Sequence, residues 1–317
     1  MGHRSTVSRP GLNEAFIVDT ATRDRLVAQE PKSADLLKPF LRGENIKRWR
    51  VEPDGLFLIN TPKGKVNIDD YPAIRNWLLP FKPDLEKRAT KQEWFELQQA
   101  QLAYQSVFAH EKIVYQDITA QNPFALDRNG YFLANTCYFI PSADPTLLAF
   151  LNSKLCWFFL SSVTNIARGG YLRLRSDFVV QTPIAAIPKR EHARITRLSN
   201  TCTDNAAARL SIESAVAHRI LDLALPEQRR LSRKLEEWYD LDFGGFRAEV
   251  ERVFHAEIPI RKRAEWEKYL SEHAVEVKRL TAEIETAARE IDAIVYRLFD
   301  LMPDEIASLE ASLAGQY

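Results

Sequence analysis

Glycine is scarce in this chain: 11 residues in 317, with none in the spacing of a dinucleotide fold or a phosphate loop. Enzymes that transfer methyl, hydride or phosphoryl groups usually carry a Gly-rich turn between a strand and a helix, where backbone amides cradle the cofactor. The pairs Gly169-Gly170 and Gly244-Gly245 lack that spacing. Cysteine is scarcer still. Cys137, Cys156 and Cys202 are too few and too scattered for a disulfide framework or a zinc cluster, so a reducing cytoplasm is the expected compartment. The metalloprotease, redox and serine-hydrolase signatures (H-E-x-x-H, C-x-x-C, G-x-S-x-G) are all absent, and no two of the six histidines stand four apart. No apolar run reaches the roughly 20 residues of a membrane helix. The longest, around Leu147–Val163, is interrupted by Asn152, Ser153 and Lys154. The first residues also lack the apolar core of a secretory signal, and none is expected.

Net charge is the last thing missing, with 43 Lys+Arg against 43 Asp+Glu. A neutral chain argues against a nucleic-acid partner until the charge is located. Divided after Pro188, the first part carries +4 and the second −4. Within the first part, Pro145–Ser176 contains no acid, and it holds Lys154, Arg168, Arg173 and Arg175 between Asp144 and Asp177. Such a stretch reads either as a footprint for phosphate or as an ordinary solvated surface, and charge alone leaves both open.

What is present is an α+β pattern. Residues 1–188 read as mixed α/β, with strands expected at Ala15–Val18, Leu56–Ile59, Lys112–Gln116, Phe124–Leu126, Tyr131–Leu133 and Cys137–Ile140. Asp127-Arg128-Asn129-Gly130 is a hairpin-turn signal, since Asn-Gly tolerates positive φ. Helices are expected at Thr22–Ala28, Ala34–Leu41, Ala73–Leu79 and Pro145–Phe159. Prolines 183 and 188 mark a boundary, beyond which 189–317 read as a helical spacer domain. There the pattern gives helices over Glu191–Leu223, from Pro226 to about Tyr239, over roughly Arg261–Phe299 and after Met302, with Gly244-Gly245 as a break. From Trp266 through Leu270, His273, Val277, Leu280, Ile284, Ala287, Ile291 and Ile294 to Leu298, apolar positions alternate gaps of four and three. This is a heptad seam. It fits either a dimerising coiled coil, in an assembly protein that binds no DNA, or an antiparallel hairpin with the chain's own Glu191–Leu223 helix. His273 on the seam reads as a packed histidine rather than a catalytic one.

Two look-alikes carry little. Asn122-Pro123-Phe124-Ala125 has the outline of an aminomethyltransferase loop but ends in Ala, without the aromatic platform for a flipped base, and reads as a turn. Asp19 followed by Glu30-Pro31-Lys32 has the outline of a metal-dependent nuclease site, which needs adjoining strands, whereas Glu30-Pro31-Lys32 falls between helical patches.

A set of short segments goes further. They run in order from Gly11-Leu12-Asn13-Glu14-Ala15-Phe16-Ile17-Val18-Asp19 through Leu37-Lys38-Pro39-Phe40-Leu41-Arg42-Gly43, Ile46-Lys47-Arg48-Trp49 and Tyr71-Pro72 to Lys112–Ile118. Asn135-Thr136-Cys137-Tyr138-Phe139-Ile140-Pro141, Leu151-Asn152-Ser153-Lys154, Arg168-Gly169-Gly170-Tyr171-Leu172-Arg173, Ser232–Glu236 and Glu290–Phe299 follow. Together they resemble the TaqI-like C-terminal specificity domain. That is the DNA target-recognition region of type IIG restriction–modification enzymes and related adenine-N6 DNA methyltransferases. The resemblance implies an α/β domain that reads duplex DNA and a helical region that braces it. It also implies that catalysis, with S-adenosylmethionine and Mg²⁺, belongs to a methyltransferase region, with or without a nuclease region, that this sequence does not contain. No catalytic residue, cofactor or metal site is expected in the chain itself.

For duplex DNA the candidates are Lys47, Arg48, Lys154, Arg168, Arg173 and Arg175 on phosphate or guanine, with Gly169 and Gly170 letting backbone amides approach a phosphate. Tyr171 and Trp49 are candidates to stack or wedge, with core packing the competing role for Trp49. Arg173 and Arg175 are two apart in an expected strand, so both project from one face while Leu172 and Leu174 point the other way.

Overall fold

The computed structural model describes residues 12–98, 102–166, 170–224 and 230–314. Its short strands are β1 (Ile17–Asp19), β2 (Leu37–Leu41), β3 (Ile46–Lys47), β4 (Arg50–Val51), β5 (Leu56–Ile59), β6 (Lys112–Gln116), β7 (Ile118–Thr119), β8 (Ala125–Asp127), β9 (Phe132–Leu133), β10 (Cys137–Ile140) and β11 (Leu172–Arg173). They form a four-stranded sheet in the order β1-β5-β2-β9, a three-stranded sheet in the order β10-β6-β8, and the two-stranded ribbons β3–β4 and β7–β11. The fold is α+β: these sheets are followed by the long helices Lys189–Leu221 and Ile260–Leu298. Among the described residues no single helix is long and apolar enough to cross a membrane.

The chain folds into two compact units. One holds the residues up to His192 together with those from Ile294 onward, and the other is Ala193–Ala293. This division differs from a cut at Pro188, because the last helix, Pro303–Ala314, packs against Lys154–Val163 and returns to the first unit.

In the first unit one apolar core underlies both larger sheets, with Phe16, Phe40, Leu41, Leu58, Ile59, Ile74, Phe108, Val114 and Leu133 among its fully buried members. At its edge lies a buried ion pair. Lys112 Nζ stands 2.5 Å from Asp127 Oδ2, with both side chains inaccessible. The other donors of Lys112 reach the carbonyls of Phe108 and His110, at 2.8 and 3.4 Å. Asp127 also accepts the amides of Asn129, Gly130 and Tyr131, so a turn is built on this carboxylate. It is not the expected hairpin: β8 pairs with β6 and β9 with β2, in different sheets. Burial pulls the Lys112 ammonium below its usual value, and Asp127 opposes that shift.

Several expected elements differ. Ala34–Leu41 is not a helix: a 3₁₀ turn, Pro31–Asp35, leads into β2. Pro39 has no amide to give a helix and drives Lys38 toward extended backbone, while an apolar run this short carries no decisive period. Pro145–Phe159 is two helices, Pro145–Leu151 and Lys154–Val163, bent by 57° where Ser153 caps the second. Ala15 and Phe16 end a short helical turn, Asn13–Phe16, and the strand begins at Ile17. Gly244 and Gly245 open the helix Phe243–Phe254 rather than break one, with Asp242 accepting the Gly245 amide at 2.6 Å. Of the helix expected from Pro226, residues 226–229 lie outside the described residues. The remainder forms only the turn Arg233–Glu236 and a 3₁₀ turn, Trp238–Asp240.

In the second unit the seam is spent within the chain. Trp266, Leu270, Val277, Leu280, Ala287 and Ile291 are buried. Polar rungs tie the two long helices antiparallel, from Arg219–Glu265 through Arg209–Thr281, Asn205–Glu283 and Cys202–Ile284 to Arg194–Glu290. His273 bonds the carbonyl of Tyr269 through Nδ1 at 2.8 Å, as a packed residue does.

Candidate nucleic-acid interface

The acid-free stretch ends in β11, which pairs antiparallel with β7 so that Leu172 faces Thr119 and Arg173 faces Ile118. Strand alternation sorts its side chains. Leu172 and Leu174 are buried, while Tyr171, Arg173 and Arg175 are exposed. The Leu174 amide donates to the Asp117 carbonyl at 2.6 Å and the Arg173 amide to Asn165 at 3.1 Å, which fixes the segment. Ile118 and Tyr171 are each 46% exposed on the ribbon. Its outer surface therefore carries Arg173 with Ile118 beside it, flanked by the exposed Tyr171 before the strand and Arg175 after it.

Neither arginine is loose. Arg173 donates Nε and Nη2 to Asp117 Oδ2 at 3.4 and 3.3 Å. Arg175 donates the same two nitrogens to the two oxygens of Asp177 at 3.1 and 2.9 Å. The bond to Asp117 raises the Arg173 guanidinium above its ordinary value, so it stays charged.

Beside the ribbon a cavity of about 360 Å³ is lined by Arg42, Gly43, Glu44, Gln116, Asp117, Ile118 and Thr136. Gly43 is required there, because a Cβ would stand 2.8 Å from the Thr136 carbonyl oxygen. Arg42 is exposed and ion-pairs with Asp54 and with Glu44. Gln116 Nε2 bonds the Ile46 carbonyl. The cleft thus collects guanidinium, amide, hydroxyl and carboxylate groups beside the ribbon, the set that reads base edges. Arg42, Gln116, Asp117 and Ile118 were not among the sequence candidates. All four lie in segments that carried the resemblance, but no local charge pattern singles them out.

Arg48 and Lys154 line a different cavity, of about 240 Å³, with Asn122, Asn152, Trp157 and Glu310. Arg48 occupies the two-residue turn between β3 and β4, and its Nη2 donates to the Asn152 carbonyl at 2.6 Å. Trp49 follows at φ 70°, only 2% exposed, with its amide on the Phe124 carbonyl at 2.9 Å. It is a core residue and not a stacking platform. A bulky side chain in the left-handed region is strained and persists where surrounding contacts hold it. Asn122 and Asn152 add to that frame by donating Nδ2 to the carbonyls of Leu151 and Phe124. The Asn122-Pro123-Phe124-Ala125 loop is accordingly a structural turn. Lys154 binds Glu310 at 2.8 Å and holds that carboxyl below its usual range, with help from the Tyr296 hydroxyl.

Lys47 is half-buried on the β3–β4 ribbon. Gly170 has φ 83° with open space around its Cβ position, so backbone conformation rather than close approach accounts for that glycine. Arg168 and Gly169 lie outside the described residues. The expected strand through Arg175 is shorter than its alternation suggests: β11 ends at Arg173, and Arg175 turns back to the Arg173 carbonyl at 3.0 Å and caps the helix Ser176–Val179. Tyr171, Arg173 and Arg175 are thus exposed along one short segment, while Arg48 and Lys154 stand at another cavity.

The nuclease look-alike residues are engaged in backbone bonding. Asp19 caps the helix Thr20–Gln29 through the Thr22 amide at 2.8 Å, which holds its carboxyl below the usual value. Glu30 accepts the Ala73 amide at 3.2 Å. Among the described residues, no group of three or more His, Cys, Asp or Glu is arranged to hold a metal ion.

Residues 38–184 match the TaqI-like C-terminal specificity domain, a stretch that runs from within β2 to beyond β11 and therefore includes the ribbon and its cleft. Residues 188–295 match a domain of unknown function (DUF8810). No curated protein matches the chain. One similar solved structure is the type IIL restriction–modification enzyme MmeI in complex with DNA, at 13% identity and a TM-score of 0.44. The match covers 91% of this chain and 35% of that one, so the chain spans about a third of the length of that enzyme.

Proposed function

We propose that this chain recognises a specific sequence in duplex DNA as the target-recognition part of a restriction–modification system. The observation that carries the reading is the exposed face Tyr171–Arg173–Arg175, set within the segment that matches a specificity domain. The major groove admits a two-stranded β-ribbon, and arginine is the commonest side chain to read guanine there. The ribbon β7–β11 is the element that enters the groove, and the neighbouring cleft supplies further base-edge contacts through Arg42, Gln116 and Thr136.

In the finer reading the system is of the type IIG kind. A methyltransferase region with S-adenosylmethionine, and a nuclease region with Mg²⁺, supply the chemistry from the same polypeptide or from a separate subunit. The chain alone binds DNA and neither methylates nor cleaves it.

Gel shifts with random and selected duplexes across a salt series test this. Expected are retained complexes, an affinity that falls as salt rises, and tighter binding to a selected sequence. Affinity that ignores both salt and charge reversal of Arg173 and Arg175 would overturn it.

A further inference from the structure

Building on that DNA-recognition reading, we propose that Ile118 and Arg173 act as one reading unit for a dinucleotide step. Arg173 takes the O6/N7 edge of a guanine, and Ile118 takes the 5-methyl group of an adjacent thymine. The register carries the argument. Ile118 and Arg173 are direct partners across the β7–β11 ladder. Directly opposed residues on antiparallel strands share a face, with Cβ atoms about 4.5–5.5 Å apart. Stacked bases along one strand rise by about 3.4 Å, so two such side chains meet neighbouring bases. Both are open to a partner, the Ile118 residue at 46% and the Arg173 side chain at 52% exposure. Ile118 is also β-branched, with a stiff side chain, and presents a fixed apolar surface beside the cation.

Asp117 makes the arginine a reader of bases rather than of phosphates. It binds the side of the guanidinium through Nε and Nη2. The outer end remains free, with one N–H each from Nη1 and Nη2, and this is the fork that fits guanine O6 and N7. A guanidinium already facing a carboxylate gains less from a phosphate, but it is pre-oriented for a bidentate contact. Asp117 is thus a positioning residue, and Ile118 and Arg173 set the specificity. Guanine N7 and O6 and the thymine methyl all lie in the major groove, where a ribbon meets them together.

The test uses the full 317-residue chain. Selection from a random duplex pool should return a site containing thymine next to guanine. On that site, replacing the thymine by uracil removes only the methyl and should weaken binding about fourfold, as burial of one methyl would give. Replacing the guanine by 7-deazaguanine should cost about tenfold or more. Ile118→Ala should erase the thymine–uracil difference and keep the deazaguanine effect. Arg173→Lys and Asp117→Asn should each reduce the guanine preference more than they reduce binding to random duplex. The base analogues act on the unaltered protein, so the result does not depend on any variant folding.

Selected sites without a neighbouring thymine and guanine would overturn the inference, as would indifference to both analogues. So would an Arg173→Ala variant that weakens all duplexes equally and lowers the salt slope by about one, the signature of a phosphate contact. Those results leave DNA recognition standing. Failure to bind any duplex would instead remove the reading on which the inference rests.

Discussion

The two compact units spend their charges differently. In the helical unit, Ala193–Ala293, ion pairs follow helix geometry: Arg209–Glu213, Arg233–Glu237 and Arg279–Glu283 at i,i+4, with Arg252–Glu249 and Arg279–Glu276 at i,i+3. Two of the rungs between its long helices, Arg194–Glu290 and Arg219–Glu265, are ion pairs as well. The first unit has local pairs as well, Lys82–Glu86 and Lys87–Asp84 among them, but it also holds pairs that join segments far apart in sequence, such as Lys112–Asp127, Arg173–Asp117 and Lys154–Glu310. Local helical pairs each stabilise by a few tenths of a kcal/mol and call for no further explanation. A long-range pair has to be placed by the fold. Lys112–Asp127 is placed inside, where it builds a turn, whereas Arg173–Asp117 leaves its arginine 52% exposed on the ribbon.

The largest break in that contrast comes from Lys112→Met. It leaves the Asp127 carboxylate buried with no countercharge and should cost about 3–5 kcal/mol in denaturant unfolding. The double variant Lys112→Met/Asp127→Asn should recover part of the loss, since a neutral amide is cheaper to bury than an unpaired charge. Next in size is Leu280→Ala in the helical unit, where deleting a seam side chain that is 3% exposed should cost about 2–5 kcal/mol. Because the seam packs on the chain's own helix, light scattering on that variant should show the same mass as the parent. A fall in mass would mean that Leu280 holds copies together.

These two residues also mark how far the sequence could be read. The Leu280 environment was legible, since a repeat of four and three over the long helix can only make one apolar stripe. Its partner was not, since the sequence left a second copy and the chain's own Glu191–Leu223 helix both open. The turn at Asp127-Arg128-Asn129-Gly130 was legible from its chemistry, but not that its two strands part into different sheets, nor its buried lysine, because Lys112 stands 15 positions away and looks like a strand-end charge. The ribbon was half legible. Alternation from Tyr171 to Arg175 shows which side chains face out, whereas Asp117 lies 56 residues from Arg173 and no periodicity connects them. Arg48 and Trp49 were illegible for a third reason: nothing in a sequence announces that a tryptophan will take positive φ and turn inward.

Carboxyls are held down in both units, but two particular sets of groups should show at opposite ends of the pH scale. Burial pushes the Cys137 and Cys156 thiols of the first unit up from an ordinary value of 9 to about 12 each. The folded chain keeps those protons where the unfolded chain releases them. Their contribution is therefore complete below about pH 9 and is lost as pH rises from there toward about 12. In the helical unit, Arg252 first and then Ser232 hold the Glu249 carboxyl down at about 2, against an ordinary 4.5. Its contribution is present above about pH 4.5 and is lost as pH falls toward about 2. Thermal unfolding followed by near-UV circular dichroism from about pH 3 to about pH 10.5 should show Glu249→Gln flattening the acid limb alone. Cys137→Ala/Cys156→Ala should flatten the alkaline limb alone. If both substitutions altered the same limb, the assignment of these groups to separate units of stability would fail.

The smallest effect gives the sharpest comparison. The arginines of Arg194–Glu290 in the helical unit and of Arg173–Asp117 on the ribbon both face solvent, at 2.9 and 3.3 Å from their carboxylates, although the Asp117 side chain is itself only 13% exposed. Exposed pairs contribute about 0–1 kcal/mol, because two long side chains lose freedom for an attraction that water screens. Arg194→Ala and Arg173→Ala should therefore move the unfolding midpoint by similarly small amounts. Only Arg173→Ala should change DNA binding, and the change should be larger for the selected duplex than for random sequence. If Arg173→Ala instead cost several kcal/mol of stability and altered all duplexes alike, the pair would be a structural clasp like Lys112–Asp127. The exposed arginine face would then need no ligand to explain it.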